Sequence, residues 1–354
     1  MFLREVTELD LGTYTDWLCS AVNGHLLQSV NWSKVKREDW RSRFFMVIDN
    51  EEIIGSFCVL IRKLPIINKS FIYIPRGPVL KDTLDFSVWK FIKDEIIKIG
   101  KAEDALFIKI DPQITDARVE TFLKELGFQS KKDNEGFGGI QPASTTILDI
   151  SNSDENILSN FSKGIRYNIK YPSKKGVTYI NTGIEGIEDF SKIMKQTAIR
   201  GEFTTRNQIY YKRLFELLGE DVSLIIGYYD NKPITGGITV VYGNKSWALY
   251  GGASSEHRNL KAYHGLIWER ILWSKSRGAD SFDFHGIPVD RAEESCKNSK
   301  EYGIYQFKKS FGGDEYDFIG EFDLPLNIPL YHLSQKGIQA RSLMNKLKKK
   351  IKNQ

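Results

Sequence analysis

Residues 44–76, FFMVIDNEEIIGSFCVLIRKLPIINKSFIYIPR, and residues 224–252, LIIGYYDNKPITGGITVVYGNKSWALYGG, are two versions of one pattern. Asp49-Asn50 falls on Asp230-Asn231 at a shift of 181, and Ile53-x-Gly55 falls on Ile234-x-Gly236 at the same shift. Each copy reads as an apolar strand, an Asp-Asn turn, a second strand running through Gly, and a third strand rich in aromatics. The continuations match as well. An apolar-periodic run from Trp89 to Gly100 leads to the strand-like Ala105–Pro112, and a run from Leu266 to Gly278 leads to Ser281–Pro288. A duplicated unit predicts two similar domains with a cleft between them, a favoured place for substrates.

Short apolar runs bounded by turn residues predict strands over 43–48, 53–61, 70–75, 105–111, 145–150, 222–229, 234–242, 246–251 and 281–285. Helical spacing places Phe86, Trp89, Phe91, Ile92, Ile96 and Ile97 on one stripe over 85–99. It does the same for Leu266, Ile267, Ile271 and Leu272 over 262–277, where Gly278 is the stop. Strands interleaved with helices give an α/β (α+β) class with mixed sheets. Ser151-Asn152-Ser153 reads as the link between the two units, followed by a helix start at Asp154-Glu155.

The chain has 354 residues, enough for two full cores, with 41% hydrophobic and 27% charged residues, ordinary for a globular protein. A net charge of +5 and a pI near 8.8 favour anionic ligands without demanding them. Cys19, Cys58 and Cys296 are few, distant and odd in number, so no disulfide or metal spacing is legible and a reducing compartment is expected. The charged N-terminus lacks the apolar core of a signal peptide, and no run approaches the roughly 18 apolar residues of a membrane span. These features predict a cytoplasmic protein. The segment 341–352 reads as a short basic helix with Leu343, Leu347 and Ile351 on one side. It either packs on the body or touches the anionic inner face of a membrane, or RNA.

Six further segments stand out: Leu27–Lys36, Tyr73–Val79, Arg166–Lys170 with Lys175–Val177, Tyr250–Ser254, Asp283–Ile287, and Tyr305–Lys308 leading to Glu315–Phe322. In this order they resemble the Fem family of peptidoglycan-bridge aminoacyltransferases. The resemblance implies two tandem domains like Gcn5-type N-acetyltransferases. Residues 1–150 with 320–354 would form the first, acceptor-binding domain, and 151–319 the second. No room remains in 150–320 for the helical arm of longer members, so the chain resembles a compact subtype.

The chemistry follows in part from an absence. Acetyltransferases of this fold hold the coenzyme A pyrophosphate on a glycine-rich loop that opens a helix, where backbone can approach phosphate closely. At the equivalent place stands Arg258-Asn-Leu-Lys-Ala-Tyr263, without those glycines, and no Ser/His/Asp or Cys/His pairing is legible. An aminoacyl ester is already activated and needs only a positioned amine and a stabilised oxyanion. By the resemblance, Lys308 is the catalytic cation, set beside Phe307 among aromatics; from the residues alone it reads rather as a surface lysine next to Lys309. By the same resemblance Lys36 and Arg206 match positions that hold the acceptor's diphosphate, a task suited to mobile and forked cations, with Lys34 two residues away as the alternative by spacing. Tyr210, four residues after Arg206 on an expected helix, can face the same ligand, and Tyr250 matches another acceptor-contacting position. Asp111 either takes a proton from the attacking ammonium, orients the acceptor, or caps the following turn; its counterpart in the repeat is read as Gly286. Lys163, Arg166, Lys170, Lys174 and Lys175 interleave with Tyr167 and Tyr171, as an RNA track or as a solvated helix face.

The expected activity is transfer of Gly, Ala or Ser from aminoacyl-tRNA to a stem-peptide amine, with lipid II or UDP-MurNAc-pentapeptide as acceptor and no metal or organic cofactor. Two rivals stay open: a tRNA-dependent N-acyltransferase acting on another amine, and a non-catalytic nucleotide- or tRNA-binding protein.

Overall fold

The computed structural model describes residues 1–64, 68–131 and 135–336. The expected basic helix at 341–352 lies outside them. The chain divides into two compact units, Met1–Tyr14 with Asp39–Lys131 and the described residues from Ile319 onward, and Thr15–Glu38 with Lys132–Phe318.

In the first unit the strands run in the order Phe2–Glu5, Arg41–Asp49, Glu52–Lys63, Ser70–Ile74, Ala105–Ile110, Phe322–Pro325 and Gln129–Ser130. All neighbours are antiparallel except Ser70–Ile74 and Ala105–Ile110, which are parallel and are joined through the helix Phe86–Ala102. Asp85 starts that helix by accepting the N–H groups of Ser87 and Val88. Its buried stripe is Val88, Trp89, Ile92, Ile96 and Ile99, packed on Phe45, Phe57, Val59, Ile72 and Ile108 of the sheet. Phe86 sits at the rim, 36% exposed, because the stripe is centred one position later than the sequence spacing suggested. The strand Phe322–Pro325 enters from the far end of the chain. Lys109 fastens it, its ammonium 2.8 Å from carboxylate oxygens of both Glu321 and Asp323.

The second unit repeats the plan in the order Asp314–Asp317, Ser144–Asp149, Ser281–Asp283, Lys245–Ala253, Lys232–Tyr242, Val222–Tyr229 and Thr178–Asn181, with Lys245–Ala253 and Ser281–Asp283 as the parallel pair. Ser144–Asp149 therefore belongs to this sheet, paired with Ser281–Asp283 and Asp314–Asp317, not to the domain that the sequence reading extended to 150. Residues 15–38 also belong here. Leu26, Leu27, Trp32 and Val35 are buried against Phe190, Tyr211, Leu214, Ile238 and Trp247. Lys245 clamps the preceding loop by donating to the carbonyls of Ala21, Val22 and Gly24 at 3.1, 2.7 and 3.0 Å.

The two copies align one residue differently from the sequence match. The hairpin turn of the first unit is Asn50-Glu51 (φ 47° and 67°), and that of the second is Asp230-Asn231 (φ 48° and 60°). Ladder registers agree: Ile48 faces Ile53 as Tyr228 faces Pro233, each pair beside a bulge. The offset is thus 180, because two left-handed positions fix a two-residue hairpin, and Asp-Asn occupies different positions of it in the two copies. The strand expected over 281–285 stops at Asp283, where the chain turns through His285 at φ 56°.

Candidate functional site

Lys308 lies in the last turn of the helix Lys300–Lys309, whose N-cap Ser299 accepts from the N–H of Tyr302 at 3.1 Å. Its ammonium donates to the carbonyls of His285 and of Gly286, the latter at 2.5 Å. An ammonium carries three donors, so a third remains for a ligand. Those carbonyls point inward because the chain is forced round. His285 and Gly286 both have positive φ, 56° and 46°. A Cβ at Gly286 would lie 2.9 Å from Pro142 Cγ and 3.2 Å from Phe137 Cδ1. Asp283, buried, holds the turn by accepting the His285 N–H at 2.7 Å and the hydroxyl of Thr145. Burial drives the Lys308 ammonium down from 10.5 to about 7; Asp283 opposes the fall and the cationic Arg270 adds to it.

Arg270 is itself fully buried, donating through Nε to Thr239 Oγ1 at 2.7 Å and through Nη2 to the Ile238 carbonyl at 2.8 Å. Glycines make the space. A Cβ at Gly237 would sit 2.7 Å from Arg270 Nη1, and one at Gly251 would sit 2.4 Å from Tyr263 Oη. Phe307 packs on Tyr263, His264 and Phe311, with ring centroids 5.3, 5.0 and 5.2 Å away, which fixes the helix that carries Lys308. Arg270 and Thr145 were not singled out from the sequence, and Asp283 entered only within the segment Asp283–Ile287. Glycines inside a strand are the signal that could have drawn attention to Arg270.

A second cluster forms in the same unit. Lys36 caps the helix Val30–Val35 and donates to Tyr210 Oη at 3.0 Å, its ammonium 4.8 Å from the ring centroids of both Trp32 and Tyr210. Lys34, the alternative by spacing, is exposed. Tyr250 Oη donates to Tyr210 Oη at 3.1 Å, and the Arg206 guanidinium stands 5.1 Å from the Tyr210 ring. Arg206 is not on the helix with Tyr210, as the sequence reading had it. Asn207 is the N-cap, accepting the Tyr210 N–H at 2.8 Å, so Arg206 precedes the helix Gln208–Leu218 and folds back over it. Burial raises the Tyr210 phenol well above its ordinary value, so it stays a neutral hydrogen-bonding group. Two cations flanking this tyrosine pair make a surface for a doubly anionic group.

Asp111 lies in the first unit and is 2% exposed. It accepts the Tyr73 hydroxyl at 2.7 Å and the Arg76 N–H at 2.6 Å, and burial raises its carboxyl to about 6. Arg76, like His285, has positive φ (55°). Asp111 and Asp283 thus use one device: a buried carboxylate at a strand end that pins a left-handed residue by its N–H and takes one hydroxyl. That pairing displaces the sequence reading of Gly286 as the counterpart of Asp111. Among the described residues no group of three His, Cys, Asp or Glu side chains could hold a metal ion, and no helix is long and apolar enough to cross a membrane.

A family model described as the FemAB family matches residues 9–232 and 224–336. The lipid II:glycine glycyltransferase of Staphylococcus haemolyticus is 28% identical over 401 aligned residues, covering 93% of this chain and 94% of that protein. The alignment is longer than the 354-residue chain, so the relative carries segments with no counterpart here. The crystal structure of FemX superimposes with a TM-score of 0.84 at 26% identity, over 94% of this chain and 99% of that one. A tandem GNAT protein from the clavulanic acid biosynthesis pathway superimposes with a TM-score of 0.56 at 10% identity, over 92% and 98%. At that identity the likeness is one of fold, two N-acetyltransferase-like domains in tandem.

Proposed function

The chain belongs to the FemAB family, and from that membership we propose that it extends the stem peptide of a peptidoglycan precursor, moving one amino acid from aminoacyl-tRNA to an amine. The lipid II substrate and the glycine named for the staphylococcal relative support lipid II as acceptor and glycine as the residue moved. The single observation that carries the reading is the cluster of Lys36, Arg206, Tyr210 and Tyr250. It suits the diphosphate that lipid-linked and UDP-linked muropeptides share.

In this reading the acceptor amine attacks the ester carbonyl of the donor, a C–N bond forms, and the tRNA hydroxyl leaves with a proton. The negative charge that builds on the carbonyl oxygen is met by the third donor of the Lys308 ammonium. Its other two donors stay on the His285 and Gly286 carbonyls, so the cation needs no rearrangement as the charge appears. Arg270 adds fixed positive potential from behind. Asp111 holds the Tyr73–Arg76 turn, each of its carboxylate oxygens accepting one hydrogen bond, and its part in this reading is to fix that turn.

Calorimetric titration with UDP-MurNAc-pentapeptide tests the acceptor assignment. Lys36→Ala and Arg206→Ala should each weaken binding about tenfold, in line with charge-assisted hydrogen bonds of roughly 1.5–3 kcal/mol. Unaltered affinity in both variants refutes it.

A further inference from the structure

The helix Lys163–Lys174 presents a face that the acceptor and Lys308 sites leave unused. From Asn156 to Ile184 the sequence holds Lys163, Arg166, Lys170, Lys174 and Lys175 and no aspartate or glutamate. The fold sorts these cations. Ile165, Ile169 and Pro172 are buried, the two isoleucines in one cluster with Ile267 and Ile271 of the helix Ala262–Ser276. Arg166 turns back to donate to the carbonyls of Ser159 and Phe161 at 2.9 and 2.6 Å. Lys163, Lys170, Lys174 and Lys175 are exposed and make no ion pair among the described residues. Between them Tyr167, 58% exposed, faces Tyr171 one turn on, with ring centroids 5.3 Å apart.

This face is tied to the surroundings of Lys308. Lys261 Nζ donates to Asn168 Oδ1 at 2.8 Å, the Asn168 amide meets His264 Nε2 at 3.5 Å, and the His264 ring packs on Phe307. Unneutralised lysines match a line of phosphates. The exposed Tyr167 ring, backed by the half-buried Tyr171 one turn on, matches an unpaired base, which stacks on any π-face. A membrane surface fits less well, because an interfacial helix turns its apolar side outward, and here that side is in the core.

We propose that this face binds the unpaired 3′ end of the tRNA donor and its adjoining phosphates, so that the ester is delivered towards Lys308. The inference rests on the aminoacyl-tRNA reading above and adds to it the surface that holds the donor.

The test uses the full chain with three probes: a tRNA minihelix with an unpaired 3′ tail, the same minihelix blunt-ended, and phosphatidylglycerol vesicles. The triple variant Lys170→Glu, Lys174→Glu, Lys175→Glu should bind the tailed minihelix at least about tenfold more weakly. It should also lower the salt slope by roughly 2–3, since each phosphate left without its lysine removes about 0.7–0.9. Tyr167→Ala should cost about tenfold on the tailed probe and nothing on the blunt one. Titration with UDP-MurNAc-pentapeptide checks that both variants are folded, and the milder Lys→Gln set should show the same ranking. The proposal is overturned if the parent does not bind the minihelix, if RNA affinity stays within twofold of the parent, or if charge reversal weakens only vesicle binding. Transfer assays separate the two layers. A parent that binds the minihelix through this face but transfers nothing refutes the transfer reading alone. A parent that transfers, with KM for charged tRNA unchanged in the variants, refutes this inference alone.

Discussion

If the Lys308 ammonium stabilises the oxyanion, transfer has a pH dependence set by its desolvation. The ordinary lysine value of 10.5 falls to about 7 at this site, so the charged fraction is about half at pH 7 and falls roughly tenfold for each further unit. The acceptor amine, with an ordinary pKa of about 10.4, must be neutral to attack, and its neutral fraction rises tenfold per unit. The product of the two fractions rises with slope 1 below about pH 7 and is flat from there to about pH 10. In Lys308→Ala only the amine titrates, so the slope stays 1 throughout. The rate at pH 7 should also drop by about 10²–10³, as expected when one preorganised oxyanion donor is removed. Single-turnover transfer from preformed aminoacyl-tRNA at saturating acceptor, corrected for spontaneous ester hydrolysis, reads both quantities. Were neutral Lys308 the general base, the slope would instead be 2 below pH 7 and 1 above it. A parent profile with no break near pH 7, or the same break in Lys308→Ala, refutes the assignment.

Lys308 also links stability to pH. Its folded value lies below the unfolded one, so between about 7 and 10.5 the unfolded chain binds more protons and stability rises with pH. Lys308→Met should therefore gain most, up to a few kcal/mol, below pH 7, and nothing near pH 10.5, as read by urea denaturation. Tyr210→Phe removes the oxygen that meets Lys36 and Tyr250; KM for the acceptor should rise about thirtyfold in steady-state assays, with kcat within twofold, at about 1 kcal/mol per bond. Glu51→Gly relieves a non-glycine residue at φ 67° and should raise stability by about 0.5–1 kcal/mol in thermal melts.

The duplication was legible because hairpin and crossover helix recur as sequence patterns, and the strand ranges read from apolar runs match the observed ones to within a few residues. The unit boundary was not. Leu26, Trp32 and Val35 look like any short apolar helix, and only packing on Phe190 and Trp247 assigns them to the second core. That same packing brings Lys36 to Tyr210, a pair 174 positions apart that spacing cannot reveal. The Lys308 surroundings were half legible. The lysine and the Asp-Phe-His-Gly string stand out as motifs, but the carbonyl cage depends on backbone angles at His285 and Gly286. Arg270 was hidden in a helix whose apolar periodicity draws the eye to Leu266 and Ile271.

Whether an amino acid passes from a tRNA ester to a muropeptide amine is decided by incubating the protein with a mixture of charged tRNAs and lipid II, then weighing the product. The expected product is an acceptor heavier by one aminoacyl residue, formed without acyl-coenzyme A and abolished in Lys308→Ala. An unmodified acceptor, or one modified only when an acyl-coenzyme A is supplied, contradicts that transfer.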